Sequence, residues 1–222
     1  MQGQKPTDLP SSSSTTAAPA TLFISPARWR FYSIVIVAYC VPPLLIVFRV
    51  IAFKYRFLLL IAIALLLSAY SFFSQIPVIS LGIRLDNLRE SMKWNLGLSC
   101  VFVGLLLAMR SASLIRAPTI PQWNLFFLFY VLIASPAQEF LFRGFLFAEM
   151  ERVGIKSERW MVVISAVTYC FLHVIYRDLI TLGVTLFMGV VWGLIYYKYR
   201  NLWAVTCSHA VLGVVSILVG LI

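Results

Sequence analysis

Acidic residues are scarce in this chain: eight Asp and Glu stand in 222 residues, against eighteen Lys and Arg. Histidine occurs only twice, and charged residues make up 12% of the chain while apolar ones make up 61%. A water-soluble globule carries nearer a quarter charged residues and half apolar ones, so a soluble fold is excluded and a polytopic membrane protein is indicated. The surplus of ten positive charges does not point to nucleic acid. The basic residues fall singly or in twos and threes between long apolar runs, as membrane flanks do. Cys40, Cys100, Cys170 and Cys207 form no CxxC pair and lie inside apolar runs, which reads as small buried hydrophobes rather than disulfides or zinc ligands. An internal repeat is also missing, which tells against a transporter built from inverted halves.

Residues 1–22 are rich in Ser, Thr, Ala and Pro and have almost nothing to bury, so they read as a disordered tail. They do not read as a secretory signal, because the apolar run begins only after Arg28 and Arg30 and further spans follow it. Charges divide the remainder. Residues 31–48, 57–83, 94–109, 160–176, 179–197 and 201–222 are free of charge, and 117–148 carries only Glu139 and Arg143. Crossing a bilayer core takes about 20 residues of helix, so the expectation is an all-α transmembrane bundle of about seven helices. Its organisation reads as N-terminal helices over 23–116 and a core domain over 117–222.

The segment 80–93 places Leu81, Leu85, Leu88 and Met92 at helical spacing among charges, which predicts a connector helix lying along the interface. Pro42, Pro43 and Pro136 fall inside spans and predict local opening of those helices. Lys and Arg divide eleven to six between the two sides of a seven-helix arrangement, the larger share lying with the N-terminus. That bias predicts a cytoplasmic N-terminus for a multi-pass integral membrane protein.

An ionisable side chain within a span costs at least ~2.5 kcal/mol on insertion scales and must find a partner, a wet cavity or a task. Glu139 and Arg143 in the fourth span, His173 in the fifth and His209 in the seventh have this problem. Glu139 and Arg143, four apart with Glu first, share a helix face in the order that favours pairing; a self-neutralising ion pair alone accounts for them. Pro136, one turn earlier, suits a cavity better than a sealed pair. Counted inward at ~1.5 Å per residue, Glu139, His173 and His209 lie roughly 16, 22 and 12 Å deep, so all three fit one mid-membrane cavity. An acid and a histidine there can take a proton from water while a second histidine donates to a developing oxyanion. The rival is zinc held by Glu139, His173 and His209, ranked second because the three come from separate helices without HExxH spacing.

The runs Gln138-Glu139-Phe140-Leu141-Phe142-Arg143-Gly144, Tyr169-Cys170-Phe171-Leu172-His173 and Ser208-His209-Ala210 resemble the CPBP family of intramembrane proteases, also called Abi. That family includes the type II CAAX prenyl endopeptidases and bacteriocin-processing or immunity proteins. Its motifs are Glu-Glu-x-x-x-Arg, Phe-x-x-x-His and His-x-x-x-Asn, and the resemblance covers roughly 117–222. It implies an intramembrane endopeptidase acting on a membrane-associated protein or peptide, without nucleic acid and without a cofactor. Glu139 and His173 would activate water, His209, helped by Gln138, would hold the oxyanion, and Arg143 would orient the glutamate helix. The chain departs from the motifs where Gln138 stands for the first Glu, Gly213 for the Asn and Tyr169 for the Phe. These departures leave a second implied reading, a catalytically inactive scaffold of the same fold: an immunity, assembly or chaperone-like membrane partner.

Overall fold

The computed structural model describes residues 25–115, 117–118, 121 and 123–221; the tail read as disordered lies outside them. Among the described residues seven helices are long and apolar enough to cross a membrane: α1 Pro26–Val47, α2 Phe53–Phe73, α3 Leu88–Ser111, α4 Phe126–Arg152, α5 Glu158–Tyr176, α6 Leu179–Tyr199 and α7 Leu202–Val219. No strand occurs among the described residues. The protein is an integral membrane protein with an all-α transmembrane fold.

The helix ends follow from their sequences. Pro26 opens α1 behind Ser25, whose hydroxyl accepts from the Arg28 amide at 3.4 Å. Asp178 caps α6 by accepting from the Thr181 amide at 2.8 Å, and Asn201 caps α7 by accepting from Ala204 at 3.0 Å. These side chains satisfy amides that a helix start leaves without partners.

The proline expectation takes a definite form. A π-helical stretch, Val35–Cys40, precedes Pro42-Pro43, and another, Tyr130–Ala134, precedes Pro136. Proline lacks the amide proton and crowds the carbonyl one turn back, and the wider turn absorbs both defects. A third π stretch, Phe140–Phe145, follows directly on Glu139. Two carbonyls in it are taken by side chains of neighbouring helices: Tyr39 Oη donates to Leu141 O at 2.7 Å and Ser165 Oγ to Phe142 O at 2.8 Å. In a bilayer, where water cannot serve, such substitutes keep irregular backbone tolerable.

Every residue from 141 to 150 is buried, so α4 is the central helix, apolar on nearly all sides because it is surrounded. Large apolar side chains such as Leu65, Leu66, Phe72 and Val101 stand exposed on α2 and α3; these faces meet acyl chains. The helices α5 and α6 pack backbone to backbone where a side chain at Gly189 would come within 2.9 Å of Ala166 Cα. Small residues permit this approach, which is how transmembrane helices gain van der Waals contact.

Two sequence expectations are corrected. The connector is not an interfacial helix: residues 74–87 run as turns and irregular backbone, and helix resumes only at Leu88 as the start of α3. Tertiary contacts outweigh the helical spacing there. Gly82 adopts φ +76° beneath Tyr196, its carbonyl accepts from the Leu202 amide at 2.8 Å, and Asn201 Nδ2 donates to Arg84 O at 3.0 Å. The cysteines are free thiols but not buried, Cys100 being exposed and the others half-buried, with Cys170 Sγ on α5 donating to Leu182 O on α6 at 3.3 Å.

Candidate active site

The site is built around α4. Glu139 and Arg143 are both fully buried, and Arg143 Nη1 donates to Glu139 Oε1 at 3.0 Å. The same carboxylate oxygen lies 2.6 Å from Nδ1 of His209 on α7. An ionised carboxylate only accepts, so His209 donates from Nδ1. Glu139 therefore bridges two helices rather than closing a pair within its own.

Aromatic rings complete the surroundings. The guanidinium carbon of Arg143 stands 4.5 Å from the Tyr169 ring centroid and 5.6 Å from that of Trp192. Such faces attract a cation that lipid would reject. Trp192 also stacks on His209, with centroids 4.8 Å apart and planes at 21°. Its own orientation is fixed by a buried chain: Trp192 Nε1 donates to Ser208 Oγ at 3.0 Å, Ser208 lies 2.9 Å from Ser99 Oγ, and Ser99 donates to Asn95 O at 2.8 Å.

His173 sits in the single 3-10 turn that closes α5, four residues before Arg177, nearer the end of its span than the depth count suggests. Its Nδ1 lies 2.9 Å from Tyr169 O. A backbone carbonyl cannot donate, so the proton is on Nδ1 and the lone pair of neutral His173 is on Nε2. The Tyr169 ring lies between the two imidazoles, 4.8 Å from His173 and 5.7 Å from His209 by centroid, and its hydroxyl is 3.4 Å from His209 Nε2.

Both histidines line one cavity of about 150 Å³, bounded also by Tyr130, Tyr169, Trp192 and Gly213. His173 and Tyr130 are shared with a second cavity of about 350 Å³ that reaches Gln138 and runs out past Arg56, Pro121, Asp178 and Gly220. Those four belong to the start of α2, the approach to α4, the turn before α6 and the end of α7. With helices alternating direction, all four ends lie on the membrane face opposite the start of α1.

Of the five residues singled out in the sequence, the structure thus gathers Glu139, Arg143 and His209 into one hydrogen-bonded group and sets His173 and His209 on one cavity. Glu139 lines neither cavity. Gln138 lines the second one with His173, and its Oε1 is buried without a hydrogen-bond partner among the described residues. No group of three His, Cys, Asp or Glu side chains placed to hold a metal ion occurs among the described residues.

Sequence reasoning missed two participants. Glu149 is fully buried, accepts from Arg152 Nη1 at 2.6 Å and faces Arg30 at 3.7 Å; closing the fourth apolar run at Ala148 hid it. Tyr130 was lost in the aromatic run Phe126-Phe127-Leu128-Phe129-Tyr130, with no local signal to single it out.

Compared with known proteins, residues 120–215 match the family described as type II CAAX prenyl endopeptidase Rce1-like. No curated protein and no solved structure matches the chain.

Proposed function

From the match of residues 120–215 to the type II CAAX prenyl endopeptidase Rce1-like family, we propose that the chain is a CPBP-type intramembrane endopeptidase that hydrolyses a peptide bond of a membrane-associated protein or peptide with water activated by His173. The observation that carries the reading is that two imidazoles from different helices share one cavity, one with a free lone pair at Nε2 and the other held by a buried carboxylate.

In this reading His173 Nε2 takes a proton from water as the water oxygen attacks the scissile carbonyl carbon. The carbonyl π pair moves onto oxygen, and the collapse of that intermediate expels the amine, which recovers the proton from His173. His209, whose Nδ1 proton is committed to Glu139, presents a donor at Nε2 in its imidazolium form, placed to stabilise the oxyanion. Glu139 is a positioning residue for His209, and Arg143 for Glu139. Gln138 cannot accept a proton as a glutamate would, but its unpartnered Oε1 can hold a hydrogen of the attacking water. A metal-free site is favoured because a guanidinium 3.0 Å from Glu139 Oε1 repels a dication at that oxygen. The cytoplasmic placement of the N-terminus remains part of the same proposal and rests on the bias of basic residues.

The test is cleavage of a quenched membrane-peptide library, with prenylated and unmodified members, by purified protein in proteoliposomes. Wild type is expected to cleave, His173→Ala to be inactive, and a chelator to leave the rate unchanged. Gln138 and Gly213, which stand where the family motifs carry Glu and Asn, favour a second reading, a scaffold without catalysis. Equal signals from wild type, His173→Ala and Glu139→Gln would establish the scaffold instead.

A further inference from the structure

A hydrolytic pocket that develops charge on a carbonyl oxygen is served best by two donors, and the histidine on α7 is one. The His-x-x-x-Asn motif of the family this chain resembles implies a second from four residues later, one turn on and on the same helix face. That position is Gly213, which has no side chain. The space is nevertheless filled: a Cβ built there would lie 2.0 Å from Tyr130 Oη and 2.6 Å from Tyr130 Cζ. The phenol reaches across from α4 and ends where a side chain at 213 would begin.

We propose that the Tyr130 hydroxyl is the second oxyanion donor of this site, supplied from α4 in place of a side chain on α7. Several observations converge on this atom. Tyr130 is largely buried and borders both the cavity of the two histidines and the wider cavity that leads to the membrane face. Its ring stands edge-on to His209, with centroids 6.2 Å apart and planes at 71°, so hydroxyl and imidazole flank the same space. Two other donors on the first cavity are engaged elsewhere, Trp192 Nε1 with Ser208 and Thr185 Oγ1 with Thr181 O, and the Tyr169 hydroxyl lies 3.4 Å from His209 Nε2. Tyr130 is the first residue of the π-helical stretch that Pro136 follows.

The inference rests on the hydrolytic reading above and adds one catalytic residue to it. Its test measures kcat and KM separately in the proteoliposome assay, with the same quenched library, for wild type, Tyr130→Phe, Tyr130→Ala, the double variant Tyr130→Ala with Gly213→Asn, and His173→Ala. Tyr130→Phe keeps the ring and its packing, so thermal stability and KM are expected to match wild type while kcat falls roughly 10²- to 10³-fold, the usual cost of one such donor. The double variant, with room made for an amide donor on α7, is expected to recover at least about tenfold over Tyr130→Ala. Wild-type kcat in Tyr130→Phe alongside an inactive His173→Ala overturns this inference and leaves the hydrolytic reading standing. Absence of cleavage by wild type removes both.

Discussion

Glu139 serves two partners through one oxygen: Arg143 at 3.0 Å and His209 at 2.6 Å both address Oε1, while Oε2 has no hydrogen-bond partner among the described residues. Its value to the protein is therefore both structural and directional, and the two can be separated. Removing the cation strands a buried carboxylate, so Arg143→Leu is expected to lower stability by about 3–5 kcal/mol, read by denaturant unfolding in detergent. Glu139→Gln keeps shape and volume but removes the charge that holds the His209 imidazolium and orients its ring. Misorienting a histidine in that way costs up to about 10⁴ in rate in serine proteases, so a fall of at least about a hundredfold in kcat, with the fold retained by circular dichroism, is the expected result. Restoring a carboxylate beside His173 with Gln138→Glu is expected to raise kcat, since the cavity then gains a group able to accept the water proton. The i, i+4 spacing made the Glu139–Arg143 pair legible, and the separate helices made two histidines in one cavity a reasonable expectation. That Glu139 turns to His209 was not legible, because the π stretch beginning at Phe140 breaks the regular advance of about 100° per residue on which face counting relies.

Among the elements, the spans themselves were written plainly in the spacing of charges, whereas their ends were not. Residues 74–83 carry no charge, so charge spacing alone runs the second span on to Ile83, yet α2 stops at Phe73 and the chain turns to meet the 199–202 corner, with Asn87 Nδ2 donating to Tyr199 O and Asn201 Nδ2 to Asn87 Oδ1 at 2.9 Å. Composition cannot announce a contact 112 residues away. The α5–α6 seam was equally silent, although Gly189 and Gly193 stand at the spacing through which membrane helices approach closely. Gly189→Val would drive a side chain into the Ala166 backbone. The expected cost is about 1–3 kcal/mol, seen as a lower unfolding midpoint. Because His173 closes α5 and Trp192 lies on α6, activity is expected to fall as well. A Gly189→Val protein with an unchanged midpoint would show that the seam opens without loss.

Over the whole molecule, buried charge is concentrated in α4, with Glu139 and Arg143 near its middle and Glu149 near its end, the latter tied to Arg152 and, through Arg30, to the start of α1. The first group holds His209 on the wall of the smaller cavity and the second braces the opposite membrane face. Glu149→Ala is accordingly expected to loosen α1 without altering KM, which limited proteolysis of the N-terminal region, compared with wild type, would report.

The wide cavity past Arg56, Asp178 and Gly220 emerges on one side of the bilayer only, away from the start of α1. Solutes that cannot permeate lipid thus meet an asymmetric target. In vesicles of uniform orientation, a bulky hydrophilic histidine reagent added to one compartment would silence the protein, and the same reagent confined to the other would pass unnoticed.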